Sequence, residues 1–365
     1  MIGSAALARG HGSPGRSSSD LVCTLATDED AARWDGFVHS RDDATGYHLW
    51  NWQTVFRSAL GHRCHYLLAS RGERVVGVLP LVEVRSWLFG RALSSLPYVT
   101  YGGVVAADAE SAHMLFERAA GLARDRGLSY VLLRHRKRLL PQHPSRTHKV
   151  TMLLPLERSC ESMWEALDRK VRNQIRKAEK SKLLFSSGGI ELVDEFYRVF
   201  ARNMRDLGTP VYGRRLFQAI LEQFPGDAKL HLVRLDGPNG QVVAGALSYA
   251  YRDWIEVPSA SSLREHRALC PNHLLYWSII SQAIAEGRRV FDFGRSTPGD
   301  GTYHFKEQWR ARGEKLCWEY WLKDGVELPS DDRHSAKFSA IIDAWKRLPV
   351  PLATLFGPTI ARFVP

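Results

Sequence analysis

The sequence predicts an α/β protein made of two copies of one domain, each a mixed sheet flanked by helices. Three observations predict it. The chain has 365 residues, room for two domains at roughly 150 residues each. A valine-rich hairpin occurs twice: "RVVGVLPLV" from Arg74 answers "QVVAGALSY" from Gln241, about 165 residues later, far beyond the period of a solenoid repeat. Each hairpin is followed by a helix pattern and then a short apolar strand. A hydrophobic share of 44% can fill a sizeable core and excludes disorder, collagen and coiled coil as descriptions of the whole.

The elements follow in order. Residues 1–20 are rich in Gly, Ser and Arg and read as a disordered leader, with no apolar run that would make a signal peptide. Strands over Cys64–Ser70 and Arg74–Val82 flank a turn at Arg71, Gly72 and Glu73. A helix over Ala107–Arg126 and a strand over Tyr130–Arg134 complete a first domain, 21–150, whose last stretch from Arg134 to Lys149 is a basic connector. A second domain, 151–325, opens with an amphipathic helix over Ser162–Lys182, started by Ser162 with Glu165 three residues on. Its buried stripe is Met163, Leu167, Val171, Ile175 and Ala178.

Away from that stripe stand Arg169, Lys170, Arg172, Arg176, Lys177, Lys180 and Lys182, a solvated face or a phosphate-binding ridge. Without aromatics among the charges, base stacking is unsupported. The second hairpin runs over Lys229–Leu235 and Gln241–Tyr251, with a helix from Pro271 to Glu286, stopped by Gly287, and a strand over Val290–Phe293. The tail, 326–365, mixes apolar residues with Lys346, Arg347 and Arg362. It reads as helical, packed back on a domain or lying on a membrane surface. No stretch approaches the ~20 apolar residues of a membrane span.

A formal net charge of +11 favours anionic partners. Cys23, Cys64, Cys160, Cys270 and Cys317 are scattered, without a C-x-x-C pair or Cys/His cluster. They read as free thiols in a reducing, cytoplasmic compartment, and no metal site is expected.

The segment richest in chemistry is "RRVFDFGRSTPGDGTYHFKEQW", Arg288 to Trp309. An acidic residue, a glycine and an arginine just after a buried strand project into the crevice beyond a sheet. Asp292 can orient Arg295 or accept a proton, and Arg295 can clamp a phosphate or carboxylate through its planar fork. Glu256, on the strand from Trp254, is a general-base candidate, and His304 is another by its side chain. Ser296, Phe305 and Trp309 complete the candidate binding set with Arg172 and Arg176 on the basic helix.

The positions Asp292, Phe293, Gly294, Phe305, Lys306 and Trp309 resemble the C-terminal part of Fem-type N-acyltransferases of the GNAT superfamily. The string "FDFGRSTPGDGTYHFK", with "LPYVTYGG" from Leu96, "NMRDLGTP" from Asn203 and "WKRLPVPLATLFGP" from Trp345, resembles more closely the FemAB-like family associated with exosortase and PEP-CTERM systems. That resemblance covers nearly all of the chain after the leader and implies two tandem GNAT-like domains. It implies transfer of an acyl or aminoacyl group to an amine, with Lys306 supplying charge at the donor end of the site.

No tightly bound cofactor is implied. The donors it admits are acyl-CoA, acyl carrier protein or aminoacyl-tRNA, and the acceptors an amine-bearing glycan, a lipid-linked sugar or a peptide of the envelope, exopolysaccharide or exported proteins. The chain departs from conventional acetyl-CoA enzymes in having no glycine between Leu263 and Asn272, and it lacks the long helical arm of classical tRNA-dependent Fem enzymes. A non-catalytic binder of an anionic glycan or RNA is the alternative from another class.

Overall fold

The computed structural model describes residues 20–86, 90–237, 240–329 and 336–363, so the expected leader lies outside it apart from Asp20. The first half runs β1 (Leu21–Leu25), α1 (Ala31–His39), α2 (Trp52–Leu60), β2 (Arg63–Arg71), β3 (Arg74–Ser86), β4 (Gly90–Ser94), β5 (Val105–Ala106), α3 (Ala109–Asp125), β6 (Tyr130–His135) and β7 (Ser145–Arg146). The second half continues with β8 (Val150–Pro155), α4 (Cys160–Ala166), α5 (Arg169–Lys180), β9 (Leu184–Gly188), α6 (Val193–Leu207), α7 (Arg214–Gln223), β10 (Ala228–Arg234), β11 (Val242–Tyr251) and β12 (Trp254–Ser262). It then forms α8 (Pro271–Ala285), β13 (Val290–Ser296), α9 (Gly301–Glu307), β14 (Arg312–Lys315) and β15 (Cys317–Leu322), and ends in α10 (Ala336–Lys346) and α11 (Val350–Ala361).

The two sheets repeat one strand order. The first is β1-β2-β3-β4-β6-β15-β7, with β5 added on β3, and the second, read the same way, is β9-β10-β11-β12-β13-β8-β14. In each, one pairing is parallel, β4 with β6 and β12 with β13, and the rest are antiparallel. A helix, α3 or α8, connects each parallel pair, as a parallel crossover requires. The duplication expected from the two hairpins is therefore present in full.

The halves also exchange a strand. In chain order β8 follows β6 and β7 as β15 follows β13 and β14, so β8 is the first repeat's last strand, yet it lies between β13 and β14, while β15 lies between β6 and β7. The main hydrophobic core is common to both halves, joining Trp34, Tyr47, Trp52 and Tyr66 to Phe196, Phe217, Leu230 and Tyr249. The Tyr249 hydroxyl donates to Gly46 O at 2.9 Å, and any Cβ at Gly46 would lie 2.7 Å from that ring. With a shared core and exchanged strands, the chain is expected to unfold in a single calorimetric transition. Two resolved transitions would mean that the halves are independent.

The helix expected over Ser162–Lys182 is two helices. Leu167 and Asp168 are extended (ψ 147° and 143°), so α4 stops and α5 restarts with Asp168 at its N-cap position. The cap of α4 is Ser159, not Ser162: its hydroxyl accepts from Ser162 N at 3.1 Å. The expected stripe survives the break, since Met163, Leu167, Val171, Ile175 and Ala178 are all buried. The tail packs back on the second half, with Ala353, Gly357 and Ala361 buried and Trp345 Nε1 donating to Thr209 O at 3.1 Å. Among the described residues no helix is long and apolar enough to cross a membrane.

Candidate active site

The site begins where the parallel pair of the second sheet comes apart. β12 and β13 pair only through Trp254–Val290, Ile255–Phe291 and Glu256–Asp292. Beyond Asp292 the register of β13 against β8 slips, and Gly294 adopts φ 73°, a conformation that favours glycine. A side chain there would approach Val257 O at 3.2 Å and Glu256 Oε1 at 3.6 Å. α8 starts at the carboxyl end of these strands, the usual position of a ligand crevice in an open α/β sheet.

Glu256 and Asp292 are thus neighbours across the last paired position, and both are buried. Asp292 accepts from Thr151 Oγ1 at 2.6 Å, from the Tyr101 hydroxyl at 2.5 Å and from Gly294 N at 2.8 Å. Glu256 accepts from Thr100 Oγ1 at 2.6 Å. The Tyr47 hydroxyl is also close to Glu256, without a hydrogen bond of ordinary geometry. Burial raises the pKa of both carboxyls, and the Asp292 charge raises that of Glu256 further. Three donors and the nearby Lys306 ammonium favour the anion at Asp292, so of the two carboxyls Glu256 is the one that holds a proton more firmly.

Lys306, on α9, is 8% exposed. Its ammonium donates to Gly294 O at 3.0 Å and Arg295 O at 3.1 Å, tying α9 to the slipped segment of β13. Burial lowers its pKa to about 8, with the Asp292 and Glu256 charges acting the other way.

Two of the groups on the carboxylates come from the first half, on the loop that follows β4. Leu96 (φ 54°) and Tyr98 (φ 73°) adopt left-handed conformations that cost about 1–3 kcal/mol each in side-chain-bearing residues. Buried Arg134 holds the loop by donating to Leu96 O and Val99 O, both at 3.0 Å, and its guanidinium lies 5.0 Å from the Trp318 ring centre. Tyr98 donates to Ala361 O at 3.2 Å. The loop is thus pinned from β6 and α11, and it carries Thr100 and Tyr101 to the second half.

A family model for the acetyltransferase (GNAT) domain matches residues 167–307, the span from α5 to the end of α9. The solved structure of FemX resembles the chain at TM-score 0.64 and 16% identity, covering 81% of this chain and 96% of FemX. A tandem GNAT protein from the clavulanic acid biosynthesis pathway follows at TM-score 0.55, 11% identity, with 84% and 99% covered. The fold is a tandem GNAT fold. The C-terminal domain of a "putative lysylphosphatidylglycerol synthetase" from Agrobacterium fabrum shares it at TM-score 0.54 and 14% identity, with 80% and 91% covered. No curated protein matches the chain by sequence.

In the second GNAT domain the structure brings Glu256, Asp292 and Lys306 together. Arg295 lies at the seam between domains, 5.6 Å from the Trp318 ring centre and 3.4 Å from Val99 O. Ser296 is buried beside it in sequence, its hydroxyl without a hydrogen-bond partner among the described residues. Phe305 packs on His273 and Tyr276. Trp309 is 0% exposed, a core residue with no face open to a ligand.

His304 is not part of this group. Two residues before Lys306 on α9, it points the other way, paired with Glu307 at 3.4 Å on the surface. Arg172 and Arg176 lie on α5, which packs along α8, and Arg176 stacks over Trp164 at 5.2 Å. Sequence reasoning missed Thr100, Tyr101, Thr151 and Tyr47; the first two lie in "VTYGG", where a paired glycine after a strand marks a close approach. A surface cleft of about 520 Å³ lies at the other end of α8, lined by Gly189, Lys229, Gln282 and Glu286, and includes none of these residues.

Proposed function

We propose that the chain is an N-acyl or N-aminoacyl transferase that forms an amide where β12 and β13 diverge. The observation that carries this reading is the buried Glu256–Asp292 pair at the mouth of that divergence, inside the segment matched by the GNAT domain. The acceptor amine attacks the donor's carbonyl carbon; the C–N bond forms, and the bond to the donor's sulfur or oxygen breaks. The amine proton passes to Glu256 in its carboxylate form, Asp292 holds Tyr101 and the Gly294 backbone in place, and Lys306 supplies positive charge beside the reacting carbonyl.

The donor is an acyl-CoA, an acyl carrier protein or an aminoacyl-tRNA, its phosphates met by Arg295 and by the ridge of Arg172 and Arg176. The acceptor is an amine on a cell-envelope, exopolysaccharide or exported-protein substrate handled from the cytoplasmic side. The formal net charge of +11 favours a second reading, a non-catalytic binder of an anionic glycan or RNA.

Glu256→Gln separates the two. A base whose pKa is raised gains activity as pH climbs and the carboxylate forms, so turnover of each donor class with an amine acceptor, followed by product mass, is expected to turn down above pH 8 as Lys306, its pKa lowered to about 8, loses its charge, and below that to climb along an ascending limb from pH 6. The variant is expected to lose that limb. The stability sign is opposite: the native protein keeps a proton that the unfolded chain releases near the ordinary value of 4.5, so this group's contribution falls as pH rises above it. Urea midpoints of Glu256→Gln should lack that fall. No product from any donor class, with the Gln variant otherwise unchanged, would leave the binding reading standing.

A further inference from the structure

The last helix presents an apolar face to solvent. Val350–Ala361 contains no charged residue. One side of α11, the small residues Ala353, Gly357 and Ala361, is buried, and Gly357 sits so close to Val211 that a Cβ would lie 2.7 Å from its carbonyl oxygen. The other side carries Leu352, Leu355, Phe356 and Ile360, exposed by 41%, 65%, 51% and 42%. These positions share one face by helical spacing. Large apolar side chains at successive turns, with no charge among them, form a patch that a monomeric protein rarely leaves in water.

Charge stands at both ends of this face. Lys346 and Arg347 precede the helix and Arg362 closes it; the acid nearby, Asp343, is paired with Lys346 at 3.3 Å. A second copy of the chain docked face to face would bring these like charges together, whereas a surface of anionic lipid headgroups neutralises them. The helix is too short to span a bilayer and suited to lie in its interface.

We propose that α11 docks the protein on an anionic lipid bilayer, with Leu352, Leu355, Phe356 and Ile360 immersed and the flanking Lys346, Arg347 and Arg362 at the headgroups. The carbonyl of Ala361 accepts from Tyr98, two residues before Thr100, so the docking helix abuts the loop that reaches the carboxylates. The inference rests on the exposed face and its charges, not on the transferase reading.

Co-sedimentation of the full chain with phosphatidylcholine vesicles, with and without phosphatidylglycerol, tests it. Binding is expected with phosphatidylglycerol and is expected to weaken at high salt. The double change L355E and F356E should reduce it at least ~10-fold, since each large apolar side chain buried contributes about that factor. Both positions are exposed, so the thermal melt should not move. Equal sedimentation of variant and wild type would overturn the proposal, as would lipid-independent dimerisation abolished by the same change.

Discussion

Lys306→Met is expected to lower turnover by ~100-fold or more, the scale on which one donor to a developing oxyanion acts. Methionine keeps the length of the side chain and removes its charge. It also removes the donors to Gly294 O and Arg295 O, and hydrogen bonds from a charged group contribute about 1.5–3 kcal/mol each, so a stability loss of about 3 kcal/mol should accompany the loss of rate. The two effects separate when turnover is measured per folded molecule, well below the variant's melting temperature. If folded Lys306→Met turns over at the wild-type rate, the ammonium serves only to hold α9 against β13.

Gly103→Ala is expected to destabilise the protein by ~3 kcal/mol or more, among the larger effects of a single substitution. A Cβ there would lie 2.0 Å from Cδ2 of His135 and 2.5 Å from Nε2. The ring cannot retreat cheaply: Val104 N donates to Nε2 at 2.8 Å, and Nδ1 meets Glu319 at 2.6 Å. With Nε2 accepting, the proton is on Nδ1 and donates to the carboxylate. Glu319 is held in turn by the N–H groups of Leu139 and Leu140 at 2.9 and 2.7 Å. Urea midpoints should therefore place the double variant with His135→Ala above the sum of the two single losses, because the small residue vacates the space. An unchanged midpoint for Gly103→Ala alone would mean that the ring yields.

The second argument depends on the exchanged strand, since Glu319 stands on β15, and here the limits of sequence reading are visible. The segment "LCWEYWL", Leu316 to Leu322, follows the candidate-site segment closely along the chain, and the structure puts its strand in the opposite sheet. β8 and β15 are both short and largely apolar, so periodicity alone cannot say which sheet takes which. The helix break at Leu167 was equally hidden, because the same five residues are buried whether α4 and α5 are one helix or two. The left-handed φ angles at Leu96 and Tyr98 leave no trace in residue type, since contacts from Arg134 and Ala361 offset their cost.

What could be read along the chain was local and repetitive. Two valine hairpins, each followed by a helix and a strand, implied the doubled α/β fold, and an aspartate, a glycine and an arginine at a strand end marked the candidate site. Nothing local said which face of β12 carries Glu256, and His304 stood nearer to Lys306 in sequence than Asp292 or Glu256. Pairing of Glu256 with Asp292, the outward turn of His304 and the arrival of Thr100 and Tyr101 from the other half all depend on contacts between residues far apart in the chain. Those contacts are selected by burial, sheet register and the closing of a common core, and they exist only once both halves have folded together.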